Sequence, residues 1–280
     1  MDASISGNDA AARDIACVSA NPYMLYTRDE AERRIDAMTE WFDSLDDIVG
    51  MDAIAELYDG LAGRVRMMRS SGIDKYLLFG KQFGYRIVTG KHAYRSSCIT
   101  DDVRKFISVE DRCVAMPSRM QDGRVCRITF RSVFSKSFRS YTPVPHIPHG
   151  LLFNDKPYSK PWLVVESAFD SDWLRQMYPH VIATGGVSGL NRESADIVAN
   201  TAPVVVLAFD NDDAGTNGML RVTGKLCEHR SGLLVYQMRS PYGKDFGDIA
   251  QLMCSASGAC PMYDTYMSVV LDSMRRFGMC

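Results

Sequence analysis

From Trp162 onward, short apolar runs rich in β-branched residues alternate with amphipathic segments of helical length, and two of the runs end in carboxylates. They are Trp162-Leu-Val-Val-Glu-Ser-Ala-Phe-Asp170 and Val204-Val-Val-Leu-Ala-Phe-Asp-Asn-Asp-Asp-Ala-Gly215. The pattern predicts strands at 162–166, 181–183, 203–209 and 233–237. Helices are expected near 167–178, 190–200 and 214–228, with another beginning near 246 and a Gly185-Gly186 turn between. A regular β-α-β-α order of this kind builds a parallel sheet with helices on both faces. In such sheets ligands bind beyond the carboxyl ends of the strands. The acids stand at those ends.

Asp210 and Asp212 are two apart at a strand exit, so in extended backbone both side chains can point the same way. Glu166 ends the other strand and Asp170 follows it by one helical turn. Asp245 and Asp248, in Tyr242-Gly-Lys-Asp-Phe-Gly-Asp248, come after the run at 233–237. Carboxylates crowded at one sheet edge repel one another and raise some of their pKa values unless a cation neutralises them. Magnesium suits an all-oxygen set of this kind, with manganese as its substitute, because it takes one or two carboxylates together with substrate phosphates. Strand-end acids also serve as turn formers and helix caps, and Asp213 is expected to cap the helix that starts at Ala214.

Charge is segregated along the chain. Residues 1–61 hold 4 Lys+Arg and 14 Asp+Glu, a net of -10; residues 62–160 hold 19 and 7, a net of +12; residues 161–280 hold 9 and 13, a net of -4. A basic middle between acidic flanks resembles a polyanion track next to a metal site. Ile35, Met38, Trp41, Phe42 and Leu45 fall at helical spacing and predict an amphipathic helix over 28–45, with a second helix over about 51–69. From 76 to 160 the pattern reads as short β-like pieces, including Tyr76-Leu-Leu-Phe79, Tyr85–Thr89 and a hairpin of Cys113–Met116 with Val125–Val133 around Asp122-Gly123. A proline-rich connection, Thr142–Gly150, ends that part, and its His146 and His149 have no cysteine or carboxylate partners that would make a metal reading preferable. A last amphipathic helix is expected over about 261–277. The expected organisation is therefore an acidic helical region at 1–70, a basic mixed α/β subdomain at 71–160, a metal-binding α/β domain at 161–255 and a C-terminal helix at 256–280. The eight scattered cysteines contain no Cys-x-x-Cys pair, so no zinc site is readable and buried free thiols are expected. No apolar run approaches the roughly 18 to 20 residues of a membrane span, and no signal-peptide pattern opens the chain, which points to the cytoplasm.

Glu166, the Asp210-x-Asp212 pair followed by Ala214-Gly215, the Ala183-Thr-Gly-Gly186 turn and Lys244-Asp245-Phe-Gly-Asp248 resemble the Toprim domain of topoisomerases, primases and related nucleases. The resemblance is specific over roughly 162–252. The spacing Glu-x-x-x-Asp and the string Phe209–Gly215 are most similar to the DnaG-type primase branch of bacteria and phages. Met116–Val133 followed by Phe138-Arg-Ser-Tyr-Thr-Pro143 is similar, less specifically, to the basic subdomain that precedes Toprim in those primases. Two departures stand out. Ser167 replaces the glycine that usually follows the glutamate, and Ser140-Tyr141 stands where the family has Lys-Tyr. Neither zinc-ribbon cysteines nor a Walker-type helicase loop is present.

The resemblance implies DNA-templated condensation of ribonucleoside triphosphates into short RNA primers. It implies that Glu166, Asp210 and Asp212 are catalytic and hold magnesium, and that Asp170, Asp245 and Asp248 complete a second metal position. Arg124, Arg127, Arg131, Lys136, Arg139 and Tyr141 would contact template or triphosphate, and Lys244 a phosphate oxygen. Single-stranded DNA and ribonucleoside triphosphates are the implied partners, with a replicative helicase or a separate zinc-binding template-recognition protein beside them; for a phage-encoded chain the compartment would be the bacterial host cytoplasm. Two alternatives remain at this level: a Toprim nuclease, in which the same metals activate water, and a non-catalytic nucleic-acid-binding replication subunit.

Overall fold

The structure, a computed structural model, describes residues 27–47, 73–110, 112–120, 122–143, 160–185, 190–255 and 261–279. The expected helix at 51–69 and most of the proline-rich connection, with His146 and His149, lie outside them. The chain divides into two units, one of residues 29–119 and 124–144, the other of 1–28, 120–123 and 145–280.

The first unit is built on an antiparallel sheet in the order β1 (Asp46–Asp47), β2 (Arg86–Thr89), β3 (Arg112–Arg119), β4 (Val125–Ser132) and β5 (Phe138–Tyr141). The β3–β4 hairpin has the expected pairing, with Cys113 opposite Ser132 and Met116 opposite Thr129. Helix α1 (Arg28–Asp43) lays Met38 and Phe42 into a buried cluster with Val88, Val103, Ile107, Ala115, Ile128 and Phe130. Burying side chains of this size contributes about 1.5–3 kcal/mol each, which is what holds the helix in place. Of the β-like pieces expected from Tyr76 onward, Tyr85–Thr89 is present as β2, and the expectation is corrected on either side of it. Tyr76–Phe79 lies in a helix, α2 (Asp74–Gly80), and α3 (Gly90–Arg95) and α4 (Asp101–Glu110) follow β2. A short unbroken apolar run such as Tyr76–Phe79 fits strand or helix equally, and here the acidic Asp74 opens a helical turn. In α4 the helical signal is present in the sequence: Val103 and Ile107 are four apart, both buried, behind the acidic pair Asp101 and Asp102.

The second unit carries a parallel sheet in the order β7 (Val181–Ala183), β6 (Trp162–Val165), β8 (Val204–Ala208), β9 (Leu234–Gln237). Every residue of β6 is buried, as expected of a central parallel strand covered on both faces. The sheet alternates with α5 (Ala168–Arg175), α6 (Arg192–Thr201), α7 (Asp213–His229) and α8 (Phe246–Ser255), and α9 (Pro261–Arg276) packs on α8. Each strand and helix expected after 161 is present within a few residues. Among the described residues, no helix is long and apolar enough to cross a membrane. Cys98, Cys113, Cys126 and Cys227 are free thiols; Cys113 and Cys126 are buried as expected, but Cys98 is only partly buried and Cys227 is exposed on α7.

Candidate metal centre

β6 and β8 are hydrogen-bonded neighbours, so their exits lie side by side, and Glu166 leaves one as Asp210 leaves the other. The Asp210 backbone N–H donates to Glu166 Oε1 at 3.1 Å, joining residues 44 apart in sequence. Ser167 then caps α5, its hydroxyl accepting from the Asp170 N–H at 3.0 Å, in extended backbone with φ -101°. No left-handed conformation is needed there, so serine replaces glycine without strain. Asp170 is carried inward on the first turn and is buried.

Asp212, not Asp213, is the N-cap of α7: its Oδ1 accepts from the Gly215 N–H at 2.7 Å, and Asp213 is the first helical residue. The correction follows from backbone geometry, since a cap needs extended dihedrals and Asp212 has φ -130° and ψ 177°. Gly215 is required for a different reason. A Cβ there would fall on the carbonyl group of Asp210, because α7 passes directly over the strand exit.

The segment after β9 closes the site. Lys244 Nζ lies 2.8 Å from Asp210 Oδ2 and 3.0 Å from Asp212 Oδ2, so the two aspartates converge on one ammonium. Asp170, Asp210 and Asp245 each bring a carboxylate oxygen within 4.8 Å of the others. Asp245 also caps α8 by accepting from the Asp248 N–H at 2.8 Å. Asp248 shapes the loop instead, since its Oδ2 accepts from the Lys244 N–H at 2.6 Å and its side chain fills the space beside Gly243, whose φ is +63°. Of the six acids singled out in the sequence, Asp170, Asp210 and Asp245 thus gather. Glu166 is tied to the main chain of Asp210, Asp212 to the cap and Lys244, and Asp248 to its own loop.

The electrostatics record the crowding. Burial, and then the Asp210 carboxylate, push Glu166 up to about 7. Burial likewise raises Asp210, with Lys244 opposing. Asp212 is held below the usual carboxylate range by the Gly215 N–H and Lys244, and Lys244 is raised by its bonds to Asp210 and Asp212. Desolvated carboxylates with elevated pKa values and an all-oxygen donor set fit a hard divalent cation, which would relieve the repulsion. The residues placed to hold one are Asp170, Asp210 and Asp245.

The basic candidates other than Lys244, and Tyr141 with them, belong to the first unit, and the fold treats them unequally. Arg131 is buried: its guanidinium donates to the carbonyls of Ser135 and Ser137 and lies over the Tyr76 ring at 5.8 Å. Arg124 pairs with Asp36 at 2.9 Å, and burial lowers Arg127 to about 10. Tyr141 donates its hydroxyl to the Cys98 carbonyl. Lys136 and Arg139 are exposed. Sequence reasoning missed Asn211, whose amide reaches the carbonyls of Ser240 at 2.9 Å and Gly243 at 3.2 Å. An asparagine between two strand-end aspartates is the only hint of it in the sequence.

Residues 163–250 match the family described as Toprim-like, so this stretch is a Toprim-like domain. A DNA primase domain from Pseudomonas aeruginosa superposes on 85% of this chain and 78% of its own, with 17% identity and a TM-score of 0.50; the chain shares its fold. Two further solved structures are similar: the Aquifex aeolicus primase with zinc-binding and RNA polymerase domains (18% identity, 98% of this chain, TM-score 0.49) and the E. coli primase catalytic core (16% identity, 86% of this chain and 83% of that one, TM-score 0.47). The chain spans 66% of the Aquifex aeolicus structure. No curated protein matches it in sequence.

Proposed function

We propose that the chain is a DnaG-type primase catalytic core that joins ribonucleoside triphosphates into short RNA primers on single-stranded DNA, using magnesium or manganese. The observation that carries the reading is the meeting of Asp170, Asp210 and Asp245 at the carboxyl edge of the parallel sheet, within the stretch that matches the Toprim-like family. A divalent cation bound there supplies charge neutralisation for the triphosphate and a lowered pKa for the attacking 3′-hydroxyl. Asp170, Asp210 and Asp245 bind it. Glu166, tied to the Asp210 N–H, fixes that strand exit, and its elevated pKa suits it to hold a proton near neutral pH. Asp212 orients α7 and, with Asp210, places Lys244 where an entering phosphate can meet its ammonium. On this reading, residues 161–255 form the metal-binding domain. Lys136 and Arg139, in the basic segment 71–160, contact the DNA backbone or triphosphate, and Arg124, Arg127, Arg131 and Tyr141 support that surface. The compartment is the cytoplasm, and a helicase or a separate zinc-binding protein supplies template recognition.

The test is incubation with single-stranded DNA, labelled ribonucleotides and magnesium. Template-dependent extension that Asp210→Ala abolishes while DNA binding persists is the expected result. Strand loss without extension would assign a nuclease, and unchanged synthesis by Asp210→Ala would refute the site.

A further inference from the structure

We propose that Asn211 is a positioning residue that fastens the segment 240–245 to the β8 exit and thereby brings Asp245 to Asp170 and Asp210. The inference rests on the reading of those three acids as a cation site and adds a residue that is not itself a ligand.

Asp245 reaches the site from beyond β9, on a segment whose shape is set internally. The Ser240 hydroxyl donates to the carbonyls of Tyr242 at 2.7 Å and Asp245 at 3.1 Å, Gly243 makes a left-handed turn, and Asp248 accepts from the Lys244 N–H. These bonds fold the segment but do not say where it sits. Asn211 does. Its side-chain amide donates to the Ser240 and Gly243 carbonyls, and its backbone N–H donates to the Lys244 carbonyl at 2.6 Å. Three hydrogen bonds from one residue thus tie the strand exit that carries Asp210 to the segment that carries Asp245. The ion pairs of Lys244 with Asp210 and Asp212 also link exit and segment; the first involves a carboxylate that cation binding would engage, and the second runs through a side chain that is half exposed, whereas the Asn211 bonds reach the main chain of the segment directly. Among the described residues the buried Asn211 Oδ1 meets no donor, so its side chain acts there through the amide nitrogen. A ligand geometry that depends on supporting hydrogen bonds loosens when they are removed, typically with a ten- to hundredfold loss of metal affinity.

Asn211→Ala deletes both side-chain bonds and keeps the backbone N–H. Titration calorimetry of the full chain with magnesium chloride is expected to show an affinity at least about tenfold weaker than wild type. Hydrogen exchange should quicken over 240–245, and the melting temperature should change little. A folded variant that binds magnesium within about twofold of wild type, against the tenfold loss expected of a lost supporting bond, overturns the proposal. If Asn211→Ala does not fold, Asn211→Ser decides by the same criterion. Wild-type protein that binds no divalent cation would remove the cation-site reading itself, a result distinct from equal binding by both proteins.

Discussion

The two sheets place charge in opposite ways. In the parallel sheet the strands end abruptly and deliver acids to one edge, where burial and mutual repulsion raise Glu166 and Asp210. In the antiparallel sheet the arginines of β4 run along the strand, and the fold consumes them: Arg131 holds the turn at Ser135 and Ser137. The first arrangement stores unfavourable electrostatics that a ligand can relieve, and the second uses charge for stability. Charge count alone cannot separate these cases, because function depends on how much of a charge the fold leaves to be satisfied.

The contrast breaks most sharply at Asp210. On the proposed function, Asp210→Ala should reduce primer synthesis by on the order of a hundredfold or more while leaving the melting temperature unlowered, since a carboxylate with a raised pKa destabilises the fold when ionised. Extension assays and thermal melts on the same preparation check both halves. Gly215→Ala should instead cost stability, about 3 kcal/mol by denaturant titration, because the new methyl group meets main chain that cannot move aside.

The pH profile sharpens the comparison at an intermediate level. The Glu166 pKa is raised from an ordinary 4.5 to about 7, so its contribution is fully present below 4.5 and is lost as pH rises through about 7. Melting temperatures measured in a chelator should fall between about pH 5 and 8, the window that this shift spans. Glu166→Gln should flatten that fall, and a profile that rises over this window would contradict the burial argument. Asp212 works in the other direction, contributing above its unfolded value and losing that contribution as pH falls, at pH values below this window.

The smallest effect belongs to the arginines. Arg131→Ala should destabilise the first unit by about 1–3 kcal/mol through the lost bonds to the Ser135 and Ser137 carbonyls, of which Ser137 keeps the Ser132 N–H. Arg139→Ala should leave stability within about 0.5 kcal/mol and, on the proposed function, weaken DNA binding in a salt-dependent way. Denaturant titration and filter binding at two salt concentrations check the pair, and equal behaviour of the two variants would erase the distinction between consumed and available charge.

How much of the molecule is legible in its sequence follows the range of each signal. The acids at the exits of 162–166 and 203–209 can be read because strand, exit and carboxylate are contiguous, and the Asp122-Gly123 turn marks the β3–β4 hairpin for the same reason. The cap of α7 falls one residue earlier than expected because Asp212 and Asp213 are chemically equivalent and only dihedral angles distinguish them. Tyr76–Phe79 looks β-like because its apolar run has no period.

The amino-acid order by itself determined the β-α alternation, the strand ends and the chemical class of the site, since these depend on periodicity and on neighbours a few positions away. Tertiary structure alone decided which acids meet, that Lys244 lies between Asp210 and Asp212, that Arg131 is consumed within its own sheet and that Asn211 fastens the closing segment. Each of those outcomes is a contact whose formation depends on strand order and backbone placement, and none is written in local residue pattern.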